Sequence, residues 1–202
     1  MAVNPDLGFA AVNGTPLEAT PGRGAFRLAP GIWLWQGEAR DRMRVRLQFA
    51  PGAKIEVDIW WNRADGNADI QLIFGLYARS VELGCLQGNG FNAPGLHRAG
   101  FGTLAVNVAV QALQSACDPA LRVEGVLSNT DEIGLPEDER LRLEANRRAF
   151  WRRFGLGVVR RGAPGSEYDY LQGRVADLHT VNHGTIGGQF ARCIPLEAFA
   201  RA

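Results

Sequence analysis

The sequence predicts an α+β fold, a mixed but mostly antiparallel sheet flanked by helices, with an irregular N-terminal segment. Three observations carry this. Stretches between Gly31 and Leu86 alternate apolar and polar residues with the period of half-buried strands. An alanine- and valine-rich helix follows them, and then a strand, a charged helix and further strands. Runs of strands followed by helices are the signature of an α+β arrangement. The 202 residues suit one domain, with an atypical segment over 1–40 and a core over about 43–180.

Residues 1–30 are rich in Gly, Pro and Ala and show little periodicity, with a short strand expected near Ala25 to Leu28. Ile32-Trp33-Leu34-Trp35 begins the β character, and Met43 to Phe49 alternates strictly. Pro51-Gly52 supplies a turn, and Lys54 to Trp60 resumes the alternation, so this pair predicts a hairpin. Asp65-Gly66-Asn67 marks the next reversal, followed by strands over Ile70 to Leu76 and Ser80 to Leu86. Leu104 to Leu113 predicts a helix, with apolar residues at 104, 106, 108, 110 and 113 and alanines between them. Arg122 to Leu127 is a short buried strand. Pro136 opens a long charged helix to Arg153, and Gly155 stops it, the usual placement of Pro at the start and Gly past the end. Glu137, Glu139 and Glu144 precede arginines at three- or four-residue spacing, which supports that helix. Val158 to Arg161 and Tyr168 to Thr180 predict closing strands, and the tail after His183 has no clear period.

Composition narrows the function classes. Hydrophobic residues make up 46% and charged residues 21%, ordinary for a globular chain, and the net charge of +1 offers no bulk field for nucleic acid. No apolar run reaches spanning length, and Met1 to Ala11 lacks the basic-then-apolar pattern of a signal peptide, so a cytoplasmic protein without membrane partners is expected. Cys85, Cys117 and Cys193 are odd in number and widely spaced, which predicts reduced thiols. His97, His179 and His183 are scattered, and no metal site is expected. Lys54 is the only lysine against 21 arginines, a coding bias more than a design, although arginine suits bidentate contacts to phosphate or carboxylate.

One local pattern has chemical content. His97-Arg98-Ala99-Gly100-Phe101-Gly102-Thr103-Leu104 runs from a Gly/Asn/Pro loop into the apolar helix. Two glycines there let a ligand approach the backbone, and the first helical N–H groups lack internal acceptors and carry partial positive charge. The frame His97-x-x-Gly100-x-Gly102 resembles the pyrophosphate-binding loop of the GNAT-type N-acetyltransferases, Gln/Arg-x-x-Gly-x-Gly/Ala after the fourth strand. It departs at the first position, where His97 stands and Arg98 is displaced by one. Ala149-Phe150-Trp151-Arg152-Arg153-Phe154-Gly155-Leu156 is similar to the family's later helix ending, with Trp151 where a tyrosine usually stands. The resemblance covers roughly residues 43–160, and the first forty residues do not match the family's paired N-terminal helices.

The resemblance implies acetyl-CoA as co-substrate and acetyl transfer to a primary amine, on a small molecule or a peptide, by direct attack in a ternary complex. It implies a cofactor site at Leu86, His97, Arg98, Ala99, Gly100, Phe101, Gly102 and Thr103, with Asn129 after the fifth core strand and Trp151 at the helix end. Asn146 competes with Asn129 for that role. A strand N–H between Leu83 and Leu86 would polarise the thioester. Glu82 is the first candidate for the base that removes the amine proton, and Asp58 the second. Trp151 cannot act as an acid, so Tyr168 or Tyr170 would have to replace the missing tyrosine, or water would protonate the thiolate. Arg147, Arg148, Arg152 and Arg153 form a basic helix face. Trp33/Trp35 and Trp60/Trp61 are expected to place aromatics on both faces of their strands, for a homodimer interface or an acceptor pocket. The reading from another class is a non-catalytic member of the same fold that binds a CoA-like ligand or a protein partner.

Overall fold

A computed structural model describes residues 26–63, 66–88, 99–127, 134–163 and 167–202. Among the described residues five strands come first: β1 (Gly31–Glu38), β2 (Arg42–Ala50), β3 (Lys54–Arg63), β4 (Gly66–Leu76) and β5 (Ser80–Gln87). They form an antiparallel meander. Helix α1 (Phe101–Ala116) leads to β6 (Arg122–Leu127), and α2 (Glu137–Arg152) leads to β7 (Gly157–Arg161) and β8 (Tyr168–Arg174). A small β9–β10 pair (Thr185–Ile186, Phe190–Ala191) and the edge strand β11 (Ala200–Arg201) end the chain. The large sheet has the order β11-β1-β2-β3-β4-β5-β6-β8-β7, and within it only β5 and β6 are hydrogen-bonded in parallel. The molecule is therefore α+β with a mostly antiparallel sheet. Among the described residues, no helix is long and apolar enough to cross a membrane.

Alternation separates the two faces. Met43, Val45 and Leu47 of β2, Ile55, Val57 and Ile59 of β3, and Ile70 and Leu72 of β4 lie on one side and are almost wholly buried. Trp61 and Phe101, whose rings meet at 5.1 Å, show that α1 covers this side. The opposite side carries Arg44, Arg46, Glu56, Asp58, Trp60 and Gln71. Trp60 and Trp61 face opposite ways, as expected: Trp60 is exposed and Trp61 is core. Trp33 and Trp35 do not. They are two residues apart, so the strand period puts both on the covered side, half-buried, and leaves Ile32 and Leu34 exposed on the other.

Both α-helices lie on the covered face. The steps β5→β6 and β6→β7 move the same way across the sheet, and right-handed crossovers then place both helices on one side. Side-chain pairing agrees. Arg148 of α2 grips Asp169 with three hydrogen bonds of 2.6–3.0 Å, and Glu144 pairs with Arg148 and Arg160. The basic helix face thus spends Arg148 on structure, and Arg147 Nη2 also lies 3.9 Å from Asp169.

The tail departs from expectation. Phe26–Leu28 is not a strand, and strand structure expected through Thr180 ends at Arg174, where a 3-10 turn (Val175–Asp177) begins. The reason lies in α1, which has core residues on every side: Leu104, Ala105, Val106, Val108, Ala109, Ala112 and Leu113 are fully buried. A helix apolar all round needs cover on two sides, and the sheet gives one. The irregular tail gives the other, and polar side chains of α1 satisfy its backbone. Asn107 Nδ2 donates to Val181 O (2.9 Å) and Arg192 O (2.7 Å), and Val181 N–H donates to Asn107 Oδ1 at 2.8 Å. Gln111 donates to Ile194 O and Gln114 to Leu178 O. Ser115 bridges Phe26 O and the Leu28 N–H. Asn107→Ala should lower unfolding stability by about 3 kcal/mol, because several buried backbone groups lose their partners at about 1–3 kcal/mol each. Urea denaturation measures this, and an unchanged midpoint would show that the tail is not held through Asn107.

Candidate functional site

Strands β5 and β6 pair only through Ser80–Arg122, Val81–Val123 and Glu82–Glu124. Beyond that base, β5 runs on to Gln87 and β6 to Leu127 without ladder contacts between them. Gly125 lets them pass closely at the fork, since a Cβ there would lie 2.8 Å from Leu83 Cβ. On its other edge β5 carries a bulge: Phe74 pairs with Leu83 and Ile73 with Cys85, which leaves Gly84 as the extra residue. A bulge switches which side the following residues face. Leu83 and Leu86 therefore both turn to the covered side, while Cys85 and Gln87 turn to the open one.

Acid-base groups gather on the open side of the fork. Glu82 is exposed and accepts from Ser80 Oγ at 3.4 Å, and Glu124 is its neighbour across the parallel pairing. Tyr170 donates its hydroxyl to Glu124 Oε2 at 3.0 Å, and the Arg161 guanidinium lies over the Tyr170 ring at 3.8 Å. Burial first, and then the hydrogen bond and negative charge of Glu124, push the Tyr170 hydroxyl above the ordinary phenol range. Tyr170, rather than Tyr168, is thus the tyrosine at the fork. Tyr168 shares its face but lies two residues farther along β8, beside Arg161 and largely exposed.

The glycine junction forms the other end of this region. His97 and Arg98 lie outside the described residues, as does Asn129. Gly100 is the N-cap of α1 at φ 109°, a left-handed conformation that favours glycine, and among the described residues no side chain caps the helix. No acidic residue occupies the first turn. Arg192 of the tail packs against Gly100 so closely that a Cβ would stand 2.3 Å from its Nε, and that Nε donates to Thr185 O at 2.9 Å. Arg63 stacks on Trp61 at 5.0 Å, beside Phe101. Arg192 therefore stands beside the positive end of a helix dipole, an arrangement that an anion would stabilise. Ala99 is half-buried, and Phe101, Gly102 and Thr103 are buried.

Asp58 stands elsewhere, on the open face of β3. Arg46 Nε and Nη2 donate to its Oδ2 at 2.8 and 2.6 Å, and Gln71 Nε2 donates to its Oδ1 at 3.1 Å. Glu56 beside it receives Arg46, Lys54 and Gln71. A cleft of about 300 Å³ opens above this network, lined by Asp58, Trp60, Asp69, Gln71 and Gln87 with Ile70 and Gly88. Trp151 is enclosed in the core, with its ring 5.2 Å from Phe150. Among the described residues, no group of three or more His, Cys, Asp or Glu side chains has the arrangement to hold a metal ion. Burial raises the thiols of Cys85, Cys117 and Cys193, as befits unreactive cysteines.

No family model, curated protein or solved structure matches the chain. Sequence reasoning missed Glu124 and Arg192. Glu124 interrupts an otherwise apolar strand, Val123 to Leu127, and a lone carboxylate there is a readable signal. Arg192 carries no such signal, because only the tail's path brings it to Gly100. The support Tyr170 gains from Glu124 is present below about pH 10 and is lost as the pH rises through its raised value. An ultraviolet titration should contain a phenolate step above about pH 10 that Tyr170→Phe removes. An identical curve in the variant would overturn this assignment.

Proposed function

We propose that the protein is an acyl-CoA-dependent N-acyltransferase of GNAT-like fold, which transfers acetyl from acetyl-CoA to a primary amine by direct attack in a ternary complex. The observation that carries this reading is the fork: two parallel strands that pair over three residues and then part, with the longer one leading into a glycine-capped helix. The resemblance implies such a gap between these strands, and a thioester arm fits between strand edges whose hydrogen-bonding groups are unspent.

Each group then has a role. The free amides at the start of α1, with Arg192 beside Gly100, bind the pyrophosphate. The bulge at Gly84 turns backbone N–H groups of β5 out of the ladder, where one donates to the thioester carbonyl oxygen as it becomes an oxyanion. The amine nitrogen attacks the carbonyl carbon, Glu82 takes its proton directly or through water, and the C–S bond breaks to release coenzyme A as thiolate. The thiolate takes its proton from solvent, and Tyr170 holds Glu124 in place next to Glu82.

The burial of Trp151 favours one second reading, a protein of the same fold that binds a CoA-like ligand without turnover. Calorimetry and an acetyl-transfer assay separate the two. Acetyl-CoA should bind at micromolar concentration, Arg192→Ala should weaken it about tenfold by removing one charged contact, and Gly102→Glu should abolish it. Full affinity in both variants would overturn the site. Glu82→Gln should reduce kcat by about 10²- to 10⁴-fold while acetyl-CoA still binds. Binding without transfer to any amine would establish the non-catalytic reading.

A further inference from the structure

Val126 stands out of place on the open side of the fork. Strand β6 is interior to the sheet, between β5 and β8, yet Val126 is 56% exposed. It follows Glu124 by two positions and so shares a side with Glu124 and Glu82. Pairing with β8 is unbroken there: Glu124 faces Gln172 and Val126 faces Tyr170. Two causes leave the valine bare. Both helices lie on the other side of the sheet, and β5 stops pairing with β6 at Glu82–Glu124, one step before Val126. One strand across and two residues along, its Cα lies roughly 8 Å from that of Glu82.

Three kinds of surface therefore follow one another away from the fork. Glu82 and Glu124 come first. Glu82 is exposed and receives Ser80 Oγ at 3.4 Å, whereas Tyr170 holds Glu124. Val126 is the apolar step after them, with the 39% exposed ring of Tyr168 diagonal to it. The third surface is cationic, because the Arg161 guanidinium lies over the Tyr170 ring at 3.8 Å. Tyr170 itself is engaged, its hydroxyl on Glu124 and its face under Arg161, so the apolar contact left to a ligand is Val126.

This order selects a ligand. A carboxylate next to an exposed valine suits an ammonium joined to hydrocarbon. A guanidinium beyond the valine repels a second cation, so the hydrocarbon arm ends without one. A protein partner would need roughly 20–30 residues a side, far more than this patch supplies, whereas one hydrocarbon arm covers one valine. We propose that Val126 is a specificity-determining residue of the acceptor site, and that the acceptor is a primary monoamine whose apolar arm lies on Val126 while its nitrogen stands at Glu82. The proposal rests on the acyltransfer reading and names its acceptor class.

The test is calorimetric titration of the full chain with hexylamine, methylamine and 1,6-diaminohexane, with and without coenzyme A. Hexylamine should bind at least tenfold more tightly than methylamine, the worth of about two buried methylene groups. The diamine has the same carbon chain and a second ammonium; it should bind about fivefold more weakly than hexylamine, and Arg161→Gln should narrow that difference. Val126→Thr keeps a β-branched side chain that suits a strand. It should weaken hexylamine about threefold or more while methylamine affinity and the urea midpoint stay unchanged. In transfer assays its loss should fall on KM for hexylamine rather than on kcat. Equal affinity for hexylamine and methylamine, full hexylamine affinity in Val126→Thr, or a dimer that this variant dissociates in sedimentation equilibrium would overturn the proposal. Failure of acetyl-CoA to bind would instead remove the acyltransfer reading, and the hexylamine titration would still decide whether Val126 seats an apolar amine.

Discussion

The amide of Asn107 ties the two halves of the fold together. Helix α1 carries core residues on every side, so it is stable only between two layers, and the second layer is a tail with little secondary structure of its own. Such a segment can be buried only if its backbone groups find partners. Asn107, fully enclosed, supplies three hydrogen bonds at once, with Gln111, Gln114 and Ser115 extending the row along the helix. One of the three is to Arg192 O, so the residue that holds the tail also sets the arginine that sits against Gly100. The same tail ends as β11 on the edge of β1, where it pairs with the backbone of Trp33 and Leu34. Core burial, edge protection and the charge at the helix N-terminus share one anchor.

The two faces of the sheet divide the work. The covered face is apolar and carries both helices. On the open face, Glu56 and Asp58 are buried, which is tolerable only because Arg46, Lys54 and Gln71 satisfy them. That network consumes its donors internally and stiffens the floor of the cleft. At the fork the same face carries Glu82, Glu124 and Tyr170, where hydrogen bonding fixes Glu124 and leaves Glu82 exposed.

Much of this was legible in the sequence. Period-two alternation located the five meander strands, and the Pro136 and Gly155 boundaries located α2. Arg122 to Leu127 is a strand with the expected ends. Alternation reports which face a residue takes but not its partner, so the role of Asp58 in an Arg46–Gln71 network was not readable. The tail was opaque for a different reason: its path is imposed by the polar side chains of α1, not by any period of its own. The pairing of Trp33 with Trp35 on one face follows from elementary strand geometry, and the expectation of two faces neglected it.

The bulge at Gly84 was also written in the sequence. In Val81-Glu82-Leu83-Gly84-Cys85-Leu86-Gln87, the apolar positions 81 and 83 share one parity, and Leu86 takes the other. A regular strand would turn Leu86 to the open face and Gln87 into the core. One extra residue restores both, keeping Leu86 opposite the core residue Leu72 and placing Gln87 opposite Gln71. Strand β5 thus meets three demands along its length. It pairs with β6 at its start, takes up an extra residue at its bulge, and presents an amide to the cleft at its end. These demands conflict in a regular strand, because the face that buries Leu83 cannot also be the face that follows it into the cleft. A glycine at the point of conflict resolves them, and for that reason the fork and the cleft occupy the same side of one strand.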